Sequence, residues 1–348
     1  MEKGAIMTKR MLVFDFKPSE KKFFEKNEFD NFEFSFFEFP LNELTVSQVT
    51  QEDFDSADIV SIFISSSVTK QVLNKFKNLK LISTRSTGYN NIEIEVCKNL
   101  GISVVNVAKY GETTVAQYTF GLLIAMVRKI IPAVIDMKNG TNSAPTYVGR
   151  DLNAITLGVL GTGSIGSAFC KIAHGAGMKI LAYDFMPNQE LIEKYGVEYV
   201  DKDTLLKNSD VVSLHVPYNE ANHHFVSNDE IEMMKDGSYL LNTSRGELLD
   251  TNALYQALAD KKLAGAALDV GECESFSFDM STFMSKIPNT SPDCLARALV
   301  TQRLIELPNV ILTPHIAYNT QEAIDTILES TFKNIEDFNL GLMTNRIV

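Results

Sequence analysis

Three polar side chains in the second half of the chain each follow a predicted strand. They are Arg245, Glu274 and His315. An arginine offers two parallel N–H donors to a carboxylate and draws electrons from the carbonyl beside it. A histidine whose ring is hydrogen-bonded to a carboxylate passes a proton near neutral pH. Because the carboxyl ends of parallel strands meet at one edge of a sheet, these groups predict a site for acid–base chemistry on a small carboxylate substrate.

A glycine-rich segment occupies residues 157–166, with the sequence LGVLGTGSIG. It follows one predicted strand and opens a helix, which is the context in which a GxGxxG pattern is informative. The first glycine permits a tight turn, the second lets a ligand approach the backbone, and the third lets helix and strand pack closely. The helix start presents N–H groups to a pyrophosphate. The predicted dinucleotide contacts are Gly161, Gly163, Ser164, Ile165 and Gly166.

Asp184 ends the next predicted strand and indicates which dinucleotide binds. Its carboxylate is placed to accept hydrogen bonds from the adenosine ribose and would repel a 2′-phosphate. The following residues, Phe185 and Met186, supply no arginine to neutralise such a phosphate. The pattern therefore predicts NAD rather than NADP. A nicotinamide beside an arginine, a carboxylate and a histidine suits the reduction of a 2-oxo acid.

These motifs carry a family resemblance. From residue 11 to the C-terminus the chain resembles the D-isomer-specific 2-hydroxyacid dehydrogenases, and most of all their lactate branch. The resemblance is strongest in the blocks at residues 84–93, 157–166, 213–254 and 312–320. It implies that Arg245 binds the substrate carboxylate, that His315 is the acid and base, and that Glu274 orients His315.

The resemblance also implies further contacts. The amides of Thr87 and Gly88 would meet the substrate carboxylate, and Tyr110 would contact the substrate. Asp269 matches the residue that holds the nicotinamide carboxamide. The other implied cofactor contacts are Val216, Pro217, Asn222, Thr243 and Ser244.

Two departures from the family pattern stand out. Ser164 occupies a position that is often arginine in the family, which removes one positive charge near the pyrophosphate. Ser65, Ser66 and Ser67 stand where lactate-type relatives can place an aromatic side chain. The second departure leaves the identity of the substrate open.

Strands and helices alternate twice along the chain, which predicts an α/β fold of two Rossmann-like or flavodoxin-like domains with parallel sheets. We expect a substrate domain from residues 1–109 with 319–348, and an NAD domain from residues 110–318. The active site would lie in the interdomain cleft. The segment 112–128 is apolar nearly all round and predicts a buried helix. By resemblance, a homodimer would form around it.

Composition excludes several classes of protein. The 348 residues carry 32 Lys and Arg against 44 Asp and Glu, a net charge of −12. This acidity argues against nucleic acid or an anionic membrane as a partner. Residues 1–10 lack the apolar run of a secretory signal, and the cysteines and histidines lack disulfide-framework or metal-ligand spacing. We therefore expect a cytoplasmic protein with reduced thiols and no metal.

The leading expectation is the reversible, NAD-dependent reduction of pyruvate to D-lactate. Hydroxypyruvate, glyoxylate or a longer 2-oxo acid remain alternative substrates. A non-catalytic, NADH-sensing interaction protein is an alternative of another class, against which the intact trio of Arg245, Glu274 and His315 argues. Residues 275–308 are expected either to cover one edge of the domain or to form a wall of the active site.

Overall fold

The computed structural model describes residues 8–27, 31–108, 110–141, 146–274, 291–342 and 344–348. The chain divides into two compact units. The first consists of Met1–Tyr110 with Asn319–Val348, and the second of Gly111–Tyr318. The chain thus leaves the first unit once and returns to it for its final helix. Residues 275–290 of the segment 275–308 lie outside the described residues, so only 291–308 are considered below.

The first unit is built on a parallel sheet of five strands in the order β2-β1-β3-β4-β5. Its central strands are buried on both faces and therefore read as continuous apolar runs in the sequence. This strand order is the flavodoxin-like one. The strands are β1 (Lys9–Val13), β2 (Phe32–Phe36), β3 (Ile59–Ile62), β4 (Leu81–Thr84) and β5 (Ser103–Val105).

The second unit is built on a parallel sheet of seven strands in the order β12-β11-β10-β9-β6-β7-β8. Counted from its own first strand, this is the doubly wound Rossmann order with one further strand. The predicted α/β fold class with parallel sheets is confirmed. The strands are β6 (Thr156–Leu160), β7 (Lys179–Tyr183), β8 (Glu198–Tyr199), β9 (Val211–Leu214), β10 (Ser238–Asn242), β11 (Leu263–Leu268) and β12 (Val310–Leu312).

The α-helices connect and cover these strands. The first unit contains the first four α-helices and the last one, and the second unit contains the α-helices between them. They are α1 (Lys21–Lys26), α2 (Gln51–Ser56), α3 (Lys70–Leu73), α4 (Ile94–Asn99), α5 (Glu112–Val127), α6 (Ile130–Lys138), α7 (Ser164–Gly175), α8 (Gln189–Tyr195), α9 (Lys202–Asn208), α10 (Asn228–Met233), α11 (Thr251–Ala259), α12 (Pro292–Glu306) and α13 (Gln321–Asn339).

The apolar helix α5 belongs to the second unit. It buries Leu122, Leu123 and Val127 in the same core as Phe169 of α7. The sequence had not predicted α6, which follows after a left-handed residue, Lys129. No residue of α6 is fully buried, although the helix is largely apolar. The exposed apolar surface of this region is therefore on α6 rather than on α5.

The expectation that all thiols are reduced is wrong. Cys273 and Cys294 form a disulfide between the loop after β11 and the first turn of α12. The two residues are 21 positions apart, a separation that no short sequence motif marks. Cys97 and Cys170 are free and buried.

Of the helices in the described ranges, none has both the length and the apolar character that crossing a bilayer requires.

Candidate active site

The three predicted catalytic residues follow adjacent strands at one edge of the second unit's sheet. Asn242 of β10 is paired with Leu268 of β11, which in turn is paired with Leu312 of β12. Arg245 and His315 each come three positions after the end of their strand, and Glu274 comes six positions after the end of β11. This edge is the carboxyl edge, where open parallel sheets bind their ligands.

His315 and Glu274 are in direct contact. The Nδ1 atom of His315 lies 2.7 Å from Oε2 of Glu274, and both side chains are about three-quarters buried, with exposed fractions of 20% and 30%. The carboxylate therefore fixes the ring orientation and places the proton on Nδ1. The Nε2 atom of His315 has no hydrogen-bond partner among the described residues. That nitrogen is left to exchange a proton with a ligand.

The loop that carries His315 is organised by Asp269. Its side chain is fully buried and accepts hydrogen bonds from the Thr313 hydroxyl at 2.5 Å and from the N–H groups of Ile316 at 3.0 Å and Ala317 at 2.8 Å. Burial raises the pKa of Asp269, and these hydrogen bonds act against the rise. The family resemblance implies a contact between Asp269 and the nicotinamide carboxamide. In the structure its carboxylate oxygens hold the histidine loop.

Arg245 is held by its backbone rather than by an ion pair. The side-chain amide of Asn242 donates to the carbonyl oxygen of Arg245 at 2.8 Å. The Arg245 Nη1 donates to the carbonyl of Ser244 at 2.7 Å. Within the described part of the chain, no carboxylate pairs with this guanidinium. Its positive charge is therefore available to an anionic ligand.

The loops of Arg245 and Glu274 pack directly against each other. A Cβ atom added to Gly246 would lie 2.1 Å from the carbonyl carbon of Gly271, so only glycine allows this approach. Gly271 also donates its N–H to Oε1 of Glu274 at 3.2 Å. The structure thus brings the three predicted catalytic residues onto neighbouring loops of one edge.

The predicted dinucleotide segment forms a turn between β6 and α7. Gly161 has φ +93°, and an added Cβ would lie 2.8 Å from the backbone of His215. An added Cβ on Gly166 would lie 2.0 Å from the carbonyl oxygen of Gly161. Gly163 has open space at the same position, and Ser164 is exposed at the helix start. With the N–H groups of Ser164 and Ile165 at the first turn of α7, this cradle fits a pyrophosphate.

Asp184 lies one residue after β7 and is tied to the same turn. Its Oδ2 accepts from the N–H and hydroxyl of Thr162, and its Oδ1 accepts from the N–H of Met186. Burial alone would raise the pKa of Asp184, but the hydrogen bonds from Met186 and Thr162 outweigh it and lower that pKa. Phe185 and Met186 are exposed and carry no charge. A charged carboxylate therefore stands where the ribose of NAD binds in this fold.

Sequence reasoning missed three residues that support the cradle: Thr162, Tyr199 and His215. Thr162 is buried and accepts a hydrogen bond from the hydroxyl of Tyr199 at 2.8 Å, which links β8 to the turn. His215 packs under Gly161 and Gly166, and burial lowers the pKa of His215 to about 3, so the ring is neutral. Thr162 has a local signal, since it lies inside the glycine pattern. The other two contacts arise only from the fold.

The remaining predicted cofactor residues stabilise the loops after β9 and β10. The Asn222 amide donates to the carbonyl of Pro217 at 2.8 Å, next to Val216. The hydroxyl of Ser244 donates to the carbonyl of Leu214 at 2.8 Å, and that of Thr243 lies 2.8 Å from the Thr119 hydroxyl of α5. These side chains thus hold loops at the ligand edge, and Thr243 points towards α5.

The predicted substrate loop lies in the first unit, after β4. The Thr87 hydroxyl donates to the carbonyl of Val107 at 2.8 Å, and the amide of Asn106 donates to the carbonyl of Thr87 at 2.8 Å. Thr87 is exposed and Gly88 and Tyr110 are half-buried. The backbone N–H groups of Thr87 and Gly88 donate to no group of the described residues. They remain available to a ligand.

Glu272, two positions before Glu274, stabilises the fold rather than facing the ligand edge. It is only 2% exposed and accepts from the N–H and hydroxyl of Thr251 at 3.1 and 2.6 Å. With His223 and His224 it forms a group whose ligand atoms lie within 4.8 Å of one another. However, the Arg297 guanidinium of α12 pairs with the same carboxylate and lies 3.1 Å from the His224 ring. The Arg297 guanidinium therefore already supplies the positive charge that a metal ion would bring to this group.

Comparison with known proteins assigns this architecture to a family. Residues 120–317 match the model of the NAD-binding domain of the D-isomer-specific 2-hydroxyacid dehydrogenases. The chain belongs to this family of oxidoreductases, and its second unit is an NAD-binding domain.

Several relatives show the range of named activities. The chain is 37% identical over 292 residues to D-lactate dehydrogenase kk1H of Curvularia clavata, covering 83% of this chain and 81% of that protein. It is 34% identical over 286 residues to an aromatic 2-oxoacid reductase of Clostridium sporogenes, covering 81% and 83%. A crystal structure of D-lactate dehydrogenase from Aquifex aeolicus, complexed with NAD and lactic acid, has a TM-score of 0.84 at 34% identity and covers 97% and 99%.

Proposed function

We propose that the protein catalyses the reversible reduction of pyruvate to D-lactate by NADH. The observation that carries this proposal is the 2.7 Å contact between His315 Nδ1 and Glu274, which leaves Nε2 for a substrate. A 2-oxo acid needs a proton at its carbonyl oxygen and a cation at its carboxylate. The edge that presents His315 also presents Arg245 without a carboxylate partner among the described residues.

Bound NADH supplies the hydride that adds to the carbonyl carbon. The pyrophosphate of the cofactor would rest on the turn of Gly161, Gly163 and Gly166, and Asp184 would bind its ribose. Arg245 would hold the substrate carboxylate by two parallel hydrogen bonds, with the Thr87 and Gly88 amides as further donors. His315 would give the Nε2 proton to the carbonyl oxygen, while Glu274 stabilises the charged ring before the transfer.

The D configuration and the choice of pyruvate rest on the named relatives. Since one of these is an aromatic 2-oxoacid reductase, a larger 2-oxo acid is the second candidate. One feature of the chain favours it, because Ser65 is exposed and small where an aromatic wall would limit the substrate. A panel of pyruvate, hydroxypyruvate, glyoxylate, 2-oxobutyrate and phenylpyruvate, followed by NADH absorbance, separates these candidates.

The same panel tests whether the protein is an enzyme at all. We expect NADH oxidation with at least one 2-oxo acid and chirally pure D product. NADH binding without oxidation of any panel member would instead favour the NADH-sensing alternative. L product would reject the stereochemical part of the proposal.

We also propose that a second copy of the chain covers α6. Five large apolar side chains of this helix are between 42% and 68% exposed: Ile130, Ile131, Val134, Ile135 and Met137. Neighbouring exposed apolar side chains of this kind mark interaction surfaces in soluble proteins. Sedimentation should show a dimer that Val134→Glu with Ile135→Lys converts to a monomer. A monomeric parent protein would reject the proposal.

A further inference from the structure

The disulfide Cys273–Cys294 bonds the residue immediately before Glu274 to α12. Cys273 lies between two carboxylates with different tasks. Glu272 on one side is buried in the second unit, and Glu274 on the other side contacts the His315 ring. The covalent state of Cys273 therefore bears on the position of Glu274.

Glu272 is anchored by several contacts besides the disulfide. Its carboxylate accepts from Thr251 at the start of α11, lies 2.9 Å from the His224 ring and pairs with Arg297 of α12. Glu274 is held through its contact with His315 and through the 3.2 Å hydrogen bond from Gly271. Cys273 therefore connects Glu272, which is buried and has several contacts, to Glu274, which is more exposed and has fewer contacts.

The backbone of Cys273 is in the left-handed region, with φ 54°. This conformation is uncommon for a residue with a Cβ atom, because Cβ crowds the following carbonyl oxygen. The bond to Cys294 limits how far Cys273 can rotate out of it. Breaking that bond removes this limit. A rotation of Cys273 towards negative φ would redirect the backbone of Glu274, the next residue, and would withdraw its carboxylate from His315.

The pair differs from the other two cysteines in accessibility. Cys273 and Cys294 are half-buried, whereas Cys97 and Cys170 are fully buried. Burial raises the pKa of the Cys97 thiol to about 11 and that of Cys170 to about 12, so neither supplies much thiolate. Cys294 lies in the first turn of the 15-residue helix α12, where helix N–H groups favour a thiolate. Thiol chemistry is thereby directed to one pair.

We propose that Cys273 and Cys294 are a redox-active pair that controls the contact between Glu274 and His315. The reductant would be a dithiol, either a small molecule or a dithiol protein, and the oxidant a disulfide such as oxidised glutathione. This inference rests on the proposed function, because it acts through the proposed acid–base pair. The oxidised form is the active form, and reduction lowers turnover.

Reduction of this disulfide takes two successive thiol–disulfide exchanges. A thiolate of the dithiol attacks the Cys273 sulfur, the S–S bond breaks, and Cys294 leaves as a thiolate that takes a proton from water. The second thiolate of the reductant attacks the mixed disulfide and releases Cys273, which is also protonated. The reductant becomes a disulfide, and two electrons have passed to the sulfurs of the protein.

The first test measures the thiols and needs no activity. The protein is equilibrated with oxidised glutathione or with dithiothreitol, alkylated under native conditions and mapped by peptide mass spectrometry. We expect Cys273 and Cys294 to be alkylated only after dithiothreitol, and Cys97 and Cys170 in neither sample. Alkylation of Cys273 and Cys294 after equilibration with oxidised glutathione would overturn the proposal.

The second test measures turnover of pyruvate and NADH in the same two samples. We expect reduction to lower kcat by roughly tenfold, less than the loss on removing the acid group itself. The pH at which activity falls should also move towards acid, because the protonated ring is less well held. Cys273→Ser and Cys294→Ser should each behave as the reduced form in both buffers, and Cys97→Ala should keep the response of the parent.

A variant of Glu274 tests whether the disulfide acts through the contact between Glu274 and His315. Glu274→Gln should lose the redox response of the pH profile, since the contact that the disulfide controls is already changed. Equal kcat values and identical pH profiles of the oxidised and reduced proteins would overturn the proposed redox control. The proposed function would be unaffected by that result. If neither form reduces any 2-oxo acid, the proposed function fails and the link to turnover fails with it, whereas the alkylation result still decides whether the pair is redox-active.

Discussion

The backbone N–H of His315 donates a 2.9 Å hydrogen bond to the carbonyl oxygen of Asp269, 46 positions earlier in the chain. The side chain of the same aspartate receives three further donors from the residues around His315. Asp269 therefore binds the histidine loop by its backbone and its side chain at once. His315 has φ 53°, an uncommon conformation that these bonds hold in place.

The first prediction concerns Asp269→Asn, which replaces one acceptor oxygen by a donor facing other donors. The free energy of unfolding should fall by about 1–3 kcal/mol because a buried donor loses its partner. Turnover should fall roughly 10- to 100-fold as the histidine is misplaced. Urea unfolding and steady-state kinetics check both values. The matched change Asp201→Asn, at the start of α9, should affect stability alone; equal kinetic losses in both variants would contradict the assignment.

The second prediction concerns the proposed acid. His315→Gln should lower kcat by about 10²–10⁴-fold, the usual range for a general acid or base. The exposed His174 of α7 provides the matched control, because His174→Gln should leave kcat unchanged. Glu274→Gln should move the pH optimum of 2-oxo acid reduction towards acid, since the protonated ring loses its anionic partner. A pH profile identical to the parent's would show that Glu274 is not coupled to His315.

The α/β class was predictable because the central strands are buried on both faces. Apolar runs such as that of β9, all four of whose residues are buried, are visible in a single sequence. The glycine turn was predictable for a similar local reason, because the glycines that its backbone requires all lie within ten residues of sequence. The short elements α8, α9 and β8 have no such run, and sequence reading missed them.

The site was predictable only in part, because several of its contacts join distant segments. The pairing of Cys273 with Cys294 depends on how α12 returns to the loop after β11, which no local pattern encodes. The sequence also gave no reason to separate Ser66 from its neighbours. In the structure Ser66 is buried and donates to the Asp15 carboxylate at 2.6 Å, whereas Ser65 and Ser67 are exposed.

The third prediction concerns substrate binding. Arg245→Gln removes a charge and the bidentate geometry, which should cost about 2–5 kcal/mol in binding the transition state. The loss should appear in kcat/KM for the 2-oxo acid, while the dissociation constant for NADH stays within about twofold. Arg303→Gln, on the exposed face of α12, is the matched control. If NADH and the 2-oxo acid are weakened equally, Arg245 does not bind the substrate carboxylate.

The fourth prediction concerns the choice of cofactor. Asp184 is held charged beside the glycine turn by the N–H groups of Met186 and Thr162, so NADH should be strongly preferred over NADPH. Asp184→Ala should narrow the preference, mainly by weakening NADH. Because the variant also removes acceptors for Thr162, thermal unfolding should be recorded beside the kinetics. Equal use of both cofactors by the parent protein would remove the basis of this assignment.

The last prediction concerns the size of the substrate. Ser66 donates to the Asp15 carboxylate, so Ser65 and Ser67 are the serines at which the expected aromatic wall is absent. Without that wall, each methylene that fills apolar space is worth only about 0.8 kcal/mol, and discrimination should be shallow. We therefore expect 2-oxobutyrate or hydroxypyruvate to be accepted within roughly tenfold of pyruvate.

Ser65→Tyr should then penalise the larger acids more than pyruvate, because the new ring takes up space without removing a side-chain hydrogen bond of the described residues. Ser67→Tyr is the companion variant, since Ser67 is also exposed, and it shows which of the two positions limits the larger acids. The ratio of kcat/KM values for 2-oxobutyrate and pyruvate is the measurement. A ratio that Ser65→Tyr leaves unchanged, or a parent protein that already excludes four-carbon acids, would show that another part of the chain sets the size limit.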